Sequence, residues 1–434
     1  MDKMADVLGR AGAWCGQNKY LSAIKNAFQN FMPLTIAGAI GVLWCNVLVN
    51  DQTGLGLFFK PIMALDFLNP AFQAVNFCTI SCITVGITLG IAQEIGIWNM
   101  GAERAGYIPG LVGLAAWLSV TNTSHMVDGA KEAFTGIAGN ELGATGLFTG
   151  MIIGVLSVEL FCFFEKQDAL KIKMPEQVPP GVARAFEVLV PATITLIITA
   201  CIGSACYNLT GLYLNDVIKN GVQGPLGAVG ATVPGVMIIY LVIMLFWLVG
   251  IHGNNMLSAV KEALFTPLAL ENVEKFNKGE KPTNIINMYA LQMWGEFGGS
   301  GVTIGLVIAI MIFGKREDNK AIASLSLVPG LFNINETVTF GIPMVLNPIL
   351  GIPFVVAPLI TIIIGYVLTV IGFCPVACLT VPWTTPPLVF GFLATGANVM
   401  GAVTQAILIV VSTVIYTPFL IAYEKYQNKQ AAEA

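Results

Sequence analysis

The sequence predicts an all-α polytopic membrane protein. Three observations carry that expectation: 56% of its 434 residues are hydrophobic, only 11% are charged, and apolar runs of about 20 residues recur along the chain. Soluble domains carry about 25% charged residues, so this chain is built to be solvated largely by lipid. A net charge of −4 gives no support for a nucleic-acid partner. Residues 1–30 lack a compact apolar core, so no cleavable leader is expected and the chain is placed in a plasma (inner) membrane.

The elements follow in order. Residues 1–30, with Trp14, Tyr20, Leu21, Ile24 and Phe28 beside Lys19 and Lys25, read as an amphipathic helix lying on the membrane surface. Candidate spans lie at 31–50, 72–94, 107–121, 144–164, 186–206, 228–251, 298–314, 351–373 and 396–422. Two more apolar stretches, 321–347 and 375–395, are cut by Pro329, Pro343, Pro348, Pro375, Pro382, Pro386 and Pro387. They supply either a tenth crossing or re-entrant pieces, because non-helical backbone at membrane depth survives only where protein or a water-filled cavity surrounds it.

Basic residues set the orientation. Lys3, Arg10, Lys19 and Lys25 mark the N-terminal arm as cytoplasmic, as do Lys166, Lys171, Lys173 and Arg184 for the loop after the fourth span. Lys261, Lys275, Lys278 and Lys281 do the same for 255–285, whereas loops 51–71 and 122–143 hold only Lys60 and Lys131. The cluster Lys315, Arg316 and Lys320 breaks this alternation unless 253–297 crosses an odd number of times. Regularity also changes along the chain. Spans in 1–206 carry few breakers and read as a scaffold or contact half, 207–224 as an amphipathic linker, and the breaker-rich 225–434 as the half that holds the site.

Two stretches carry the chemistry. In Val249–Asn255 (V-G-I-H-G-N-N), His252 falls at the end of an apolar run, Gly253 breaks the helix, and Asn254 and Asn255 add donors and acceptors. In Pro329–Pro343 (P-G-L-F-N-I-N-E-T-V-T-F-G-I-P), Glu336 stands among Asn333, Asn335 and Thr337 inside an apolar segment fenced by breakers. A carboxylate in that setting is a functional candidate by default, and burial would make it a better proton acceptor. The amides suit a neutral, hydroxyl-rich ligand. Trp247, Trp294 and Trp383 lie near these stretches, where an aromatic face can stack on a sugar ring. Glu159 and Glu94 read as structural partners of basic residues on other helices, while Lys261, Glu262 and Glu296 lie beside the candidate site. The nine cysteines show no metal-ligand spacing and read as small apolar packing residues, so no metal and no cofactor are expected. No P-loop, G-x-S-x-G or H-E-x-x-H is present, so a reactive group would have to come from another protein.

Lys173–Pro191 (K-M-P-E-Q-V-P-P-G-V-A-R-A-F-E-V-L-V-P), G-I-H-G-N-N and N-I-N-E-T-V-T-F-G-I-P stand in one order along the chain. Together they resemble the membrane IIC component of the bacterial phosphoenolpyruvate-dependent sugar phosphotransferase system, lactose/cellobiose/diacetylchitobiose family, over nearly the whole chain. The resemblance implies about ten transmembrane helices, two re-entrant hairpins and a homodimer formed through the first half. It implies inward movement of a β-linked disaccharide, whose C6 hydroxyl is presented to a phosphocysteine on a cytosolic IIB partner. Glu336 then looks like the acid that deprotonates this hydroxyl, and His252 like its orienting neighbour. Asn333, Asn335, Thr337, Asn254 and Gly253 would line the sugar, with Trp247 and Trp383 stacking on it. Unlike fused family members, the chain shows no appended IIB domain, so the phospho-donor is expected to be separate. Two readings stay open beside this one: a proton-coupled secondary sugar transporter using Glu336 and His252, and a receptor or channel without chemistry.

Overall fold

The computed structural model describes residues 10, 14, 17–51, 55–125, 134–175, 177–225, 230–342 and 344–433. Lys3, Lys131 and Pro343, used in the sequence reading, lie outside the described residues. The chain is mostly helical (77%). Among the described residues, six helices are long and apolar enough to cross a membrane: Lys19–Leu48, Lys60–Met100, Ala144–Glu165, Pro180–Thr210, Gly351–Val370 and Val399–Gln430. A seventh arises if Met288–Val302 and Ile304–Phe313, bent by 60° at their junction, count as one span. The apolar runs expected at 107–121 and 228–251 form helices of only 13 and 16 residues, Ile108–Val120 and Val233–Leu248.

The N-terminal element differs from expectation. Residues 19–30 are not a separate surface helix but the first turns of Lys19–Leu43, which continues straight into the first apolar run. Lys19 is held there by Glu159 at 2.6 Å, so its charge is matched within the helix bundle rather than at a lipid headgroup.

The chain forms two compact units. One groups Gln17–Gly38 with Asn76–Ala228; the other groups Ala39–Val75 with Val229–Ala434. Residues 39–75 pack with the C-terminal unit, where Asn46 donates to Asn277 Oδ1 at 3.1 Å.

In each unit the core is mostly apolar, yet long helices bury some polar side chains and turn apolar ones outward. In the first, helix Pro180–Thr210 buries Thr195 and Thr199 and exposes Leu189, Ile197 and Ile202. The threonine hydroxyls donate back to the carbonyls of Pro191 and Thr195, each at 2.8 Å, so these two hydroxyls are not left bare in an apolar setting. In the second, helix Val399–Glu433 buries Thr404, Gln405 and Ser412 while Val410 and Val414 face outward. Apolar outward faces are stable only against lipid or a partner.

In the C-terminal unit the apolar helix Val233–Leu248 starts on Thr232, whose hydroxyl accepts from Gly235 N at 3.2 Å, with Pro234 in its first turn. It ends where Gly250 takes φ +81°, a conformation cheap only for glycine. Helix Met288–Gly295 is capped by Asn287, whose Oδ1 accepts from the backbone of Tyr289 and Ala290. Asn287 and Asn272, both fully buried, also donate to the Ala377 carbonyl at 3.2 and 3.0 Å. That fixes the start of the non-helical stretch 375–388. Its counterpart, Phe332–Asn335, separates helix Glu317–Leu331 from the short helix Glu336–Gly341.

Candidate functional site

His252 occupies the break after helix Val233–Leu248 and caps the four-residue turn Gly253–Met256. Its Nδ1 accepts from the Asn255 backbone N–H at 3.2 Å. A ring nitrogen that accepts carries no proton, so the neutral imidazole holds its proton on Nε2. Gly253 is buried against the backbone of helix Val233–Leu248. A Cβ there would stand 2.0 Å from the Ile243 carbonyl oxygen, so only glycine lets the turn fold back this tightly. The imidazole packs against Trp247 at a 48° tilt, with ring centroids 4.4 Å apart.

Glu336 is the first residue of helix Glu336–Gly341, a position where the exposed N–H groups favour a negative charge. Farther along, Leu346 N–H donates to the Leu248 carbonyl at 2.8 Å, which draws the segment after this helix back to the end of Val233–Leu248. The two breaks therefore meet. His252 Nε2 lies 3.8 Å from Glu336 Oε1, and the side chains keep 37% and 46% of their surface exposed. Glu336 is thus not sealed in apolar surroundings as the sequence suggests; it opens, with His252, onto accessible space. The separation is too long for a direct hydrogen bond, yet one oxygen about 2.8 Å from each atom can bridge them.

A glycine-rich turn, Gly298–Gly301, holds the two sides together. Gly298 N–H donates to Asn333 Oδ1 at 2.6 Å, the Ser300 carbonyl accepts from Asn335 Nδ2 at 2.7 Å, and Ser300 Oγ accepts from Asn254 Nδ2 at 2.9 Å. Gly299 at φ +87° approaches so closely that a Cβ would be 2.7 Å from the Asn335 side chain. Asn333, itself at φ +63°, also donates to the carbonyls of Trp383 and Thr385. Behind this turn Lys261 and Glu296 form a close ion pair. Tyr240 Oη donates to Glu296 Oε1 at 2.7 Å, and Lys261 Nζ reaches Asn254 Oδ1 at 3.3 Å.

The residues singled out in the sequence thus converge, but with different tasks. His252 and Glu336 face the open space, Thr337 is exposed, and Trp383 is 44% exposed. Trp247 is 2% exposed and its ring packs on His252, so in this conformation it backs the imidazole and has no face free for a sugar. The amides of Asn333, Asn335 and Asn254 are engaged with backbone and Ser300, stitching the breaks to one another. Among the described residues no group of three or more His, Cys, Asp or Glu side chains is placed to hold a metal.

Known proteins resemble the chain over nearly its whole length. Residues 25–358 match the family model described as phosphotransferase system, EIIC. The chain belongs to this family. As an EIIC component it is 32% identical to the oligo-beta-mannoside-specific EIIC component of Bacillus subtilis over 98% of this chain and 94% of that protein. It is 29% identical to the cellobiose-specific EIIC component of Lactococcus lactis, over 98% of each. A solved structure, the transporter ChbC, the IIC component of an N,N'-diacetylchitobiose-specific phosphotransferase system, superposes with a TM-score of 0.88 at 30% identity, covering 97% of both chains.

Sequence reasoning misses two parts of this candidate site. Lys261 and Glu296 drew notice only as neighbours, since 35 residues separate them and no periodicity announces their pairing. Ser300 was passed over entirely, although the run G-G-S-G (298–301) is the pattern of a chain forced into left-handed turns.

Proposed function

We propose that this EIIC moves a β-linked disaccharide of the cellobiose or diacetylchitobiose type inward and holds its C6 hydroxyl between His252 and Glu336 for phosphorylation. The donor is the phosphocysteine of a separate cytosolic IIB protein. The observation that carries the reading is the 3.8 Å approach of two half-exposed groups from separate chain breaks. A hydroxyl seated there donates to Glu336 and accepts from His252 Nε2–H. As the C6 oxygen bonds to phosphorus and the S–P bond breaks, the hydroxyl proton passes to Glu336. Positioning plus one base is what phosphoryl transfer asks of the acceptor side. Trp383 offers a stacking face and Thr337 a hydroxyl contact. The charged product cannot return, which makes transport directional. The same reading takes the breaks at 332–335 and 375–388 as re-entrant hairpins among about ten crossings, the termini as cytoplasmic, and the first unit as a homodimer scaffold.

The decisive experiment uses membrane vesicles supplied with phosphoenolpyruvate and the soluble phosphotransfer proteins, IIB included. With labelled cellobiose or diacetylchitobiose, the wild type should deliver C6-phosphorylated sugar. Glu336→Gln should bind the sugar within about threefold of wild type yet lose about 10³-fold in phosphorylation rate, the scale of a missing general base. Accumulation of unmodified sugar driven by a pH gradient, without any phospho-donor, would overturn the proposal in favour of a secondary transporter. Wild-type phosphorylation by Glu336→Gln would do so as well.

A further inference from the structure

The EIIC carries an ion pair that the transfer step does not use. Lys261 is 6% exposed and is bonded to Glu296, which also accepts from Tyr240. A buried ion pair rarely adds stability over apolar residues of the same volume, because desolvating two charges offsets their attraction. In a lipid-solvated protein an unmatched charge costs more still. Fold stability therefore does not account for this pair, and its connections point elsewhere.

Those connections run without a gap to both halves of the site. Lys261 Nζ donates to Asn254 Oδ1 at 3.3 Å, and Asn254 lies two residues after His252 in the turn that His252 caps. Asn254 Nδ2 donates to Ser300 Oγ at 2.9 Å. The Ser300 carbonyl takes Asn335 Nδ2 at 2.7 Å, and Asn335 immediately precedes Glu336. Ser300 is thus the joint between the histidine turn and the glutamate loop, and the ion pair is the fixed post to which Asn254 is tied. Lys261 supplies a donor whose direction is set by Glu296, so the Asn254 amide is left with its N–H₂ facing Ser300.

Resting on the transfer reading above, we infer that the buried Lys261–Glu296 pair and Ser300 form a positioning clamp that sets the separation and orientation of His252 and Glu336. None of the three is a catalytic residue. They act through Asn254 and Asn335, and their loss lowers turnover while sugar binding persists.

The test is the double variant Lys261→Met/Glu296→Gln, which leaves no orphan charge and keeps an acceptor for Tyr240, alongside Ser300→Ala and Glu336→Gln. In the vesicle assay, turnover of the double variant should fall about 30-fold with KM for cellobiose or diacetylchitobiose within about threefold, as expected for a misplacement of under about 1 Å. Ser300→Ala should fall in the same direction. Combining it with the double variant should add little, because the two disrupt one device. A second readout is independent of activity. The chain has only two histidines, so ¹⁵N-histidine NMR in detergent resolves His252, and its ring signals should shift in both variants. Unchanged turnover and unchanged His252 signals, with Glu336→Gln inactive, overturn the clamp and leave the transfer reading standing. So does a parallel fall of binding, turnover and thermal stability with His252 unchanged. Phosphorylation at the wild-type rate by Glu336→Gln overturns the reading beneath it. If the double variant does not fold, Ser300→Ala alone decides by the same readouts.

Discussion

Both units pair their charges, but they differ in what they leave open. In the N-terminal unit, several ionic groups pair with one another. Glu165, almost fully buried, lies 2.9 Å from both Arg104 and Arg184, and Glu187 completes the ring at 2.9 and 2.8 Å. Glu94 accepts from Asn26, and Glu159 from Lys19. The C-terminal unit also pairs charges, as in Lys261–Glu296 and Lys275–Glu271, but two groups at helix interruptions, His252 and Glu336, keep about 40% of their surface open at a distance that leaves the hydrogen bond between them unmade. The lesson is that the same residue types serve as cement where they pair inside the protein, and leave bonding capacity free where the helices break.

The comparison breaks most readily at Glu165. Glu165→Ala strands two guanidinium groups beside Glu187 alone. It should lower the unfolding free energy by about 3 kcal/mol, the scale of lost hydrogen bonds to a charged group whose partners stay partly exposed and keep Glu187. Thermal unfolding in detergent should register that loss while the surviving folded protein binds disaccharide with unchanged Kd. A drop in affinity at constant stability would mean that the N-terminal unit takes part in ligand binding, and the contrast would fail.

A smaller effect sharpens the other side. Asn333 bonds Gly298 N–H, the Trp383 carbonyl and the Thr385 carbonyl from a left-handed backbone. Asn333→Gly should destabilise by about 2 kcal/mol, the scale of buried groups left without partners. Asn333→Ala should add about 1 kcal/mol more, because a Cβ is disfavoured at that φ. A difference between the two variants, read from denaturation midpoints, checks the backbone contribution separately from the side chain.

The smallest expected effect separates two tryptophans. Trp383→Ala removes an exposed face and should weaken disaccharide binding about tenfold, near 1.4 kcal/mol, with turnover of bound sugar little altered. Trp247→Leu keeps the apolar bulk behind His252 but loses the aromatic contact, so turnover should fall more than affinity. Isothermal titration and the vesicle assay distinguish these outcomes, and the reverse pattern would exchange the roles assigned here.

Legibility in the sequence follows the range of the interactions. The apolar runs at 144–164, 186–206, 351–373 and 396–422 announce the helices Ala144–Glu165, Pro180–Thr210, Gly351–Val370 and Val399–Glu433, because a span is a local property of composition. Breakers around Glu336 and His252 likewise mark places where the helix must stop. What stayed hidden depends on contacts between distant residues. Residues 39–75 belong with the C-terminal unit, Trp247 is covered by its own neighbour His252, and the amides expected to meet a sugar are tied to Gly298, Ser300, Trp383 and Thr385. A sequence shows that an asparagine has four hydrogen-bonding positions, not which of them the fold consumes.

By itself, the sequence determined that this is a lipid-solvated helical chain whose second half is interrupted at polar points. Three motifs in order tied it to the EIIC family. Both follow from short-range chemistry, since hydropathy and helix breaking are written residue by residue. Only the tertiary structure decided that His252 and Glu336, 84 positions apart, stand 3.8 Å from each other, and that a buried Lys261–Glu296 pair lies behind them. Those distances are set by where the chain turns at Gly298–Gly301 and how tightly helices approach there, and no local pattern encodes a separation in space.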